Sequence, residues 1–151
     1  MPKNPSHTLT LKARAKVNLT LEVLGRREDG YHDIASIIQT IDLCDTLSLE
    51  PADSILFECD KPELQSQDNL ALKAAYLLKA STGYDGGARI TLLKGIPVSA
   101  GLGGGSSDAA ATLTGLNTFW GLGLPLDELI PLAAQLGSDV PFFLHGGTAM
   151  V

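Results

Sequence analysis

The stretch PVSAGLGGGSSDAAA, residues 97–111, decides how the rest of this sequence is interpreted. It follows a strand predicted over residues 88–93 and leads into a helix predicted over residues 107–120. Its glycines lack a Cβ atom, so the backbone can turn sharply and present several N–H groups together. The first N–H groups of a helix have no partner within it and carry the positive end of its dipole. The stretch therefore predicts a phosphate-binding loop.

A glycine-rich loop does not by itself identify the class of nucleotide site. A Walker A loop requires a lysine directly after its last glycine, and no lysine follows these glycines. The dinucleotide-binding pattern requires a third glycine where this sequence has Ser106, and no βαβ frame is evident around it. The pattern that fits is Pro-x-x-x-Gly-Leu-Gly-x-x-Ser-Ser-x-Ala-Ala, beginning at Pro97.

Composition limits the classes of protein that this chain can belong to. Its 151 residues, 44% of them hydrophobic, suit one folded domain with a core. The net charge of −6 and the absence of a basic block disfavour a nucleic-acid surface. Cys44 and Cys59 have neither the number nor the spacing of a zinc site or a disulfide framework. Two free thiols, a short polar N-terminus and no long apolar run predict a soluble, cytoplasmic protein.

Hydrophobic periodicity predicts an α+β arrangement along the chain. Period-two alternation indicates strands over residues 8–13 and 17–23, and the apolar run 34–41 fits either strand or helix. A helix is expected to open with Ser66 or Asp68 as its cap and to end at Gly83. The remaining expected elements are short strands over 46–50 and 55–59, a helix over 126–136 with Leu126 inward, and a strand begun at 147–151.

Two groups of polar residues invite a functional interpretation beside an ordinary one. Lys16 and Asn18 share the polar face of the first strand, which is usually a solvated face. A nucleotide, however, needs a cation near its γ-phosphate. Tyr31 and His32 follow a polar turn, where they form either an edge pair or a stacking and hydrogen-bonding site for a heterocycle.

Asp139 lies in the second informative stretch, GSDVPFF at residues 137–143. Ser138 is expected to cap a short helix, which would place Asp139 in its first turn. A carboxylate there can simply complement the helix dipole. It can also accept a proton, so its role stays open on sequence spacing alone.

Four separated segments resemble the superfamily of galactokinase, homoserine kinase and mevalonate kinase, the GHMP kinases. Within it, they resemble the family of kinases that act on 4-diphosphocytidyl-2-C-methyl-D-erythritol. The triple glycine before the serine pair and the DGYH segment favour this family over its relatives. The likeness runs from about Leu9 to the end of the chain, and its segments are AKVN (15–18), DGYH (29–32), IPVSAGLGGGSS (96–107) and GSDVPF (137–142).

The resemblance implies a fold and a domain organisation. The expected fold is α+β, a ribosomal-protein-like two-layer α/β sandwich with a mixed sheet, forming the GHMP-kinase nucleotide-binding domain over residues 8–151. Members of the family are about twice as long, and their second domain supplies part of the substrate wall. The resemblance therefore marks this chain as a truncated N-terminal portion, and it does not imply activity for these residues alone.

The resemblance also implies a reaction, the transfer of the γ-phosphate of ATP to the 2-hydroxyl of the cytidyl substrate in non-mevalonate isoprenoid biosynthesis. By position, Asp139 corresponds to the catalytic base and Lys16 to its partner at the γ-phosphate. Asn18, Tyr31 and His32 correspond to residues that hold the substrate, the last two at the cytosine. Phosphoryl transfer depends mostly on positioning and charge neutralisation, which suits these residue types.

The implied cofactors are ATP and Mg²⁺. Mg²⁺ should bridge the phosphates through oxygens and water, with Ser107 as a protein ligand. By position, the ATP site comprises Asn69 near the adenosine, Lys94, Pro97, Gly101, Leu102, Gly103, Gly104, Gly105, Ser106 and Ser107.

Two alternatives to this function stay open on the sequence. One is another small-molecule GHMP kinase, acting on mevalonate, homoserine or a sugar, which would need no cytosine pocket. The other is a non-catalytic nucleotide- or RNA-binding module on the same fold, which the acidic composition and the lack of basic or aromatic stripes disfavour. The expected partner is a small molecule, with neither nucleic acid nor membrane involved.

Overall fold

The described part of the chain consists of strands and helices that form an α+β fold. A computed structural model describes the backbone of residues 7–26, 32–97, 103–146 and 148–150, and the side chains of residues 7–16, 40–97 and 103–145. A 3₁₀ turn lies at Pro62–Leu64. The other elements in chain order are β1 (Leu9–Arg26), β2 (His32–Glu50), β3 (Ile55–Cys59), α1 (Leu70–Thr82), β4 (Ala88–Leu93), α2 (Gly104–Phe119), α3 (Leu126–Leu136), α4 (Val140–Gly146) and β5 (Thr148–Met150).

The strands form one mixed sheet in the order β3-β4-β2-β1-β5. β3 and β4 run parallel, whereas the other three neighbouring pairs are antiparallel. One face of the sheet is covered by helices, so the predicted two-layer α+β sandwich with a mixed sheet is confirmed. None of the helices in the described part of the chain has the length and apolar character needed to cross a membrane.

β1 and β2 are long partners whose pairing is interrupted just before Lys16. Arg14 lies opposite Cys44, but Lys16 lies opposite Thr40, so residues 41–43 of β2 bulge opposite one residue of β1. Such bulges bend a strand and re-aim its side chains. β2 spans both segments, so the apolar run 34–41 is strand. Residues 46–50 continue β2 instead of forming the separate strand that the sequence predicted.

The core lies between the helices and one face of the sheet. Alternate strand residues are fully buried there, as period two requires, and the residues between them face the other way. Gly115 of α2 allows close approach, because a Cβ on it would lie 2.9 Å from Leu11 Cδ1 and 3.0 Å from Leu49 Cδ1. The buried sheet residues include Leu11, Ala13, Leu47, Leu49, Ile90 and Leu92, and the predicted core positions Leu113, Leu116 and Trp120 of the loop helix are buried against them.

Helix ends differ from the predicted ones in ways that matter for the site. Asn69 caps α1, since its side chain accepts a hydrogen bond from the Ala71 N–H at 2.9 Å; the prediction of Ser66 or Asp68 was wrong. Gly83 ends α1 as predicted, with a left-handed φ of 70°. The predicted inward position of Leu126 was also wrong, because it is 42% exposed at the start of α3.

The starts of α2 and α4 are displaced from the predicted positions. α2 begins at Gly104, so the glycines belong to its first turn and not to a preceding loop alone. α4 begins at Val140, and Asp139 is therefore the residue before the helix instead of a member of its first turn. Pro131 lies inside α3 without dividing it.

Trp120 joins the end of α2 to the start of β4. Its ring is buried and stacks on Tyr84, with ring centroids 4.5 Å apart. Its Nε1–H donates to the Gly87 carbonyl oxygen at 2.9 Å. Gly87 itself has no room for a side chain, because a Cβ would lie 2.3 Å from the Ser54 carbonyl carbon.

We expect Trp120→Phe to lower the free energy of unfolding by about 1–3 kcal/mol, because the buried Gly87 carbonyl loses its donor and the ring leaves a void. Denaturant unfolding followed by circular dichroism measures the change. Tyr76→Phe is the control, since Tyr76 is 50% exposed and its change should stay within about 0.5 kcal/mol. Equal stabilities for wild type and Trp120→Phe would contradict the assigned role.

Candidate functional site

Lys94 is a buried cation at the point where β4 ends. Its side chain is 5% exposed, and its Nζ donates to Asp45 Oδ2 at 2.5 Å and to Asp108 Oδ2 at 2.8 Å. Its backbone N–H donates to Asp60 Oδ1 at 2.9 Å. The two buried contacts join β2, the end of β4 and the first turns of α2 through one ammonium group.

Asp45 fixes the turn that follows Lys94. It is fully buried, and its Oδ1 accepts hydrogen bonds from the Gly95 N–H at 2.7 Å and the Ile96 N–H at 2.8 Å. The close approach requires glycine, because a Cβ on Gly95 would lie 2.2 Å from the Cys44 carbonyl oxygen. Asp45 therefore uses both carboxylate oxygens to bind the chain as it leaves the sheet.

Two buried oxygens at the start of α2 have no hydrogen-bond partner among the described residues. They are the Ser107 hydroxyl oxygen and Asp108 Oδ1. Ser107 is 0% exposed and Asp108 is 2% exposed. An unpaired buried oxygen costs free energy, so native structures usually supply a partner, an ion or a ligand. An unpaired hydroxyl near a helix N-terminus is a group that could bind a ligand there.

Burial and charge act in opposite directions on this network. Burial alone would lower the pKa of Lys94, but the carboxyls of Asp108 and Asp45 raise it above its usual value, so the ammonium stays charged. Burial raises the pKa of Asp108 well above the usual range of a carboxyl, and the neighbouring Asp45 adds to this although Lys94 opposes it.

The first residues of α2 leave space for Lys94 and for a ligand. A Cβ on Gly104 would lie 3.3 Å from Lys94 Nζ and 3.2 Å from Ile96 Cγ2, so a side chain there would press on the ammonium. Gly103 has a left-handed φ of 74°, which only glycine adopts readily. Gly105 is open on its outer side, where the nearest atom to a Cβ, Leu70 Cδ1, is 3.8 Å away.

Lys16 and α4 meet at Gly103. A Cβ on Gly103 would lie 3.0 Å from Lys16 Cγ and 2.8 Å from Phe143 Cζ. Lys16 is thus brought to the start of α2, as a residue at the γ-phosphate would have to be. Asp139 is exposed at the start of α4, and it forms no ion pair with Lys16 in the part of the chain that the structure describes. The expected approach of the two charges therefore stays a prediction.

The structure describes the other predicted site residues in part. Asn69 is half-buried, and its amide is engaged locally, because it accepts from Ala71 N–H and its Nδ2 donates to the Leu64 carbonyl oxygen at 2.9 Å. Pro97 is exposed beside Ile96. Asn18 lies in β1 and His32 begins β2, with their backbones alone described. Tyr31, Gly101 and Leu102 lie outside the described residues.

Asp45 and Asp108 are site residues that the sequence interpretation missed. Asp108 was recognised only as part of a helix start, and Asp45 was not singled out at all. A carboxylate in the apolar context of β2, followed by Thr46 and the buried Leu47, was the available signal, since a buried charge needs a partner. The partner is 49 residues away in the sequence, which no local pattern can reveal.

Comparison with known proteins identifies the family. The sequence pattern of the GHMP kinases N terminal domain matches residues 69–147, which include α1, β4, the glycine-rich segment and α4. The chain belongs to the GHMP kinases. The predicted family is thereby confirmed, together with its fold class.

Two curated relatives share one name. A protein of Dehalococcoides mccartyi, named 4-diphosphocytidyl-2-C-methyl-D-erythritol kinase, is 53% identical over 143 residues, which are 95% of this chain and 50% of the relative. A protein of Caldanaerobacter subterraneus with the same name is 49% identical over 94% of this chain and 50% of the relative. The chain thus spans about half the length of the curated relatives that it matches.

Solved structures support the fold of this GHMP kinase domain. A crystal structure of 4-(cytidine 5'-diphospho)-2C-methyl-D-erythritol kinase is 44% identical, with a TM-score of 0.73 over 94% of this chain and 51% of that one. Homoserine kinase from Cytophaga hutchinsonii has a TM-score of 0.71 at 18% identity, over 99% of this chain and 50% of that one. The second likeness concerns the fold alone.

We expect Lys94→Met to lower the free energy of unfolding by about 3–5 kcal/mol at pH 7, because two buried carboxyls lose their cation. The difference from wild type should shrink at pH 5, because burial raises the pKa of Asp108, so this carboxyl takes up a proton as the pH falls and no longer needs a cation. Urea unfolding at the two pH values measures both effects. Arg89→Met is the matched control: Arg89 pairs with Glu58 at the surface, so its cost should stay below about 1 kcal/mol. Similar losses for the two variants would contradict the prediction.

Proposed function

We propose that this chain is the nucleotide-binding part of a kinase that moves the γ-phosphate of ATP to the 2-hydroxyl of 4-diphosphocytidyl-2-C-methyl-D-erythritol. The observation that carries the proposal is the meeting of Lys16, Phe143 of α4 and the start of α2 at Gly103. It joins a cation, an anion-binding helix end and the segment that carries Asp139. The substrate is taken from the name of the two curated relatives, both of which are called 4-diphosphocytidyl-2-C-methyl-D-erythritol kinase.

The phosphate site lies at the N-terminus of α2. The first turn is formed by glycines and serines, whose backbone N–H groups can approach an anion closely. The ammonium of Lys94 lies next to Gly104 and adds positive charge beneath the turn. A polyphosphate is the ligand class that suits helix N–H groups, a neighbouring cation and a concave glycine surface together.

ATP with Mg²⁺ fits the residues at this site. The buried Ser107 hydroxyl lacks a partner among the described residues, and a hydroxyl oxygen is an acceptable ligand for Mg²⁺. When bound, the ion would neutralise charge on the phosphates. Ser107 would hold it, while the first turn of α2 orients the phosphates. A small-molecule kinase of this kind would work in the cytoplasm, where ATP is available.

Lys16 and Asp139 are proposed to act in the chemical step. Lys16 would stabilise the charge on the migrating phosphoryl group, and Asp139 would accept the proton of the attacking hydroxyl. Catalytic contacts often tighten only when substrate is bound, so a closed Lys16–Asp139 contact is not required beforehand. Asn18, Tyr31 and His32 are proposed to hold the cytidyl substrate, and Asn69 to lie near the adenosine.

A substrate panel tests the proposal on the full-length protein. We expect ATP-dependent phosphorylation of 4-diphosphocytidyl-2-C-methyl-D-erythritol, inhibited by cytidine nucleotides, and no comparable turnover of mevalonate, homoserine or galactose. Phosphate transfer can be followed by phosphorus NMR, which also identifies the hydroxyl that is modified. Preferred turnover of another panel member would replace the substrate, and salt-sensitive RNA retention without any transfer would replace the function.

We expect Asp139→Asn to lower kcat by roughly 10²–10⁴-fold while ATP binding is retained, because the change removes the base but keeps its size. Lys16→Met should also lower kcat, and the double variant should lose less than the product of the two losses, because the groups act on one transition state. Stopped-flow phosphate transfer and nucleotide titration measure these effects. Asp127→Asn, an exposed carboxylate on α3, is the matched control. Wild-type kcat in Asp139→Asn would remove the catalytic assignment.

A further inference from the structure

The Asp45–Lys94–Asp108 network lies between the end of β4 and the first turns of α2. Each of its three side chains is at most 5% exposed, and they come from β2, the end of β4 and α2. β4 runs into the segment that begins at Ile96, and α2 begins where that segment ends. The network therefore spans the two sides of the phosphate site, which the chain itself joins only through residues 97–103.

We propose that Asp45 and Asp108 are positioning residues: acting through the ammonium of Lys94, they hold the end of β4 against the first turns of α2. This inference rests on the proposed phosphate site, because it assigns these residues to the shape of that site. Neither carboxylate needs to touch the nucleotide.

The hydrogen bonds form two different ties, by which we mean the contacts of Asp45 with the end of β4 and the contact of Asp108 in α2 with Lys94. Asp45 binds one side, since it accepts from the Gly95 and Ile96 N–H groups as well as from Lys94. Asp108 binds the other side, since it lies in α2 and Lys94 alone connects it to β4 among its described hydrogen bonds. Lys94 uses two of its three N–H donors in this way. The geometry therefore commits the lysine chiefly to holding the site together.

The Lys94 ammonium also lies close to the first residue of α2, where the phosphate is proposed to bind. A Cβ on Gly104 would lie 3.3 Å from Lys94 Nζ, so the first residue of α2 rests directly on the bridged cation. A shift of Lys94 would move the turn whose N–H groups are proposed to bind phosphate. Nucleotide affinity falls in proportion to the fraction of molecules that have the binding-competent arrangement.

Asp108→Leu breaks one tie without leaving a charge unpaired. The variant retains the Asp45–Lys94 pair, and leucine is an uncharged residue with a high helix propensity. We expect hydrogen exchange at the Gly95, Ile96 and Ser107 amides to accelerate about tenfold or more without ligand, because local opening becomes easier. The Ala71 and Leu124 amides, which are bonded to Asn69 and Asn117 elsewhere, should stay within about twofold.

The same variant should bind a non-hydrolysable ATP analogue with Mg²⁺ about tenfold more weakly. In the full-length protein the KM for ATP should rise by a similar factor, while the KM for the cytidyl substrate stays within about twofold. Glu58→Leu is the matched control: it removes an acid from the exposed pair with Arg89, and neither the amides nor the affinity should change.

The outcomes separate this inference from the proposed function. Unchanged exchange at Gly95, Ile96 and Ser107, or equal acceleration at Ala71 and Leu124, would overturn the positioning role. A wild-type protein that binds no ATP analogue would overturn the proposed function, while the amide measurements still decide whether the ties exist. If the leucine does not fit and the protein does not fold, Asp108→Ala makes the same cut and is judged by the same measurements.

Discussion

A single ammonium group, that of Lys94, links the sheet to the first turns of α2. Its burial would be unfavourable without the carboxylates of Asp45 and Asp108, and neither carboxylate would be tolerable there without it. The three groups also fix their own separation, because the hydrogen bonds at 2.5 and 2.8 Å allow little variation. The end of β4, the turn after it and the first turns of α2 therefore form one unit.

The glycines around this unit supply space more often than unusual backbone geometry. Gly95 and Gly104 have no positive φ, yet a side chain on the first would collide with β2 and on the second would press on Lys94. Gly103 combines both needs, since its φ is 74° and a Cβ would reach Lys16 and Phe143. A glycine-rich segment that looks flexible in sequence thus permits close packing between charged groups, strands and a helix start.

Local patterns explain why much of this arrangement could be predicted. The alternation in β4, the glycine and serine run and the apolar spacing of α2 depend on neighbours in the sequence, and they were sufficient to predict β4 and α2. The fold class came from the family resemblance, and the phosphate site stays a prediction. Asn69 as the cap of α1 was missed because Ser66, Asp68 and Asn69 all have capping side chains, and only packing selects among them. Asp45 was missed because its meaning depends on the β2–β4 pairing, in which Thr46 lies opposite Leu93.

The network also bears on how a protein with a negative net charge could bind an anion at the start of α2. The net charge of −6 is spread over the whole chain, and solvent ions screen exposed charges beyond about 8–10 Å at physiological salt. At the start of α2 the local balance is different. Burial would lower the pKa of Lys94, but the carboxyls of Asp108 and Asp45 raise it, and burial raises the pKa of Asp108, which opposes the ionisation of that carboxyl. The positive end of the helix dipole and the neighbouring Lys16 add to the attraction that a phosphate at the proposed site would meet. We therefore assign the shape of the proposed site to the two acids, and its attraction for an anion to the helix N-terminus and Lys16.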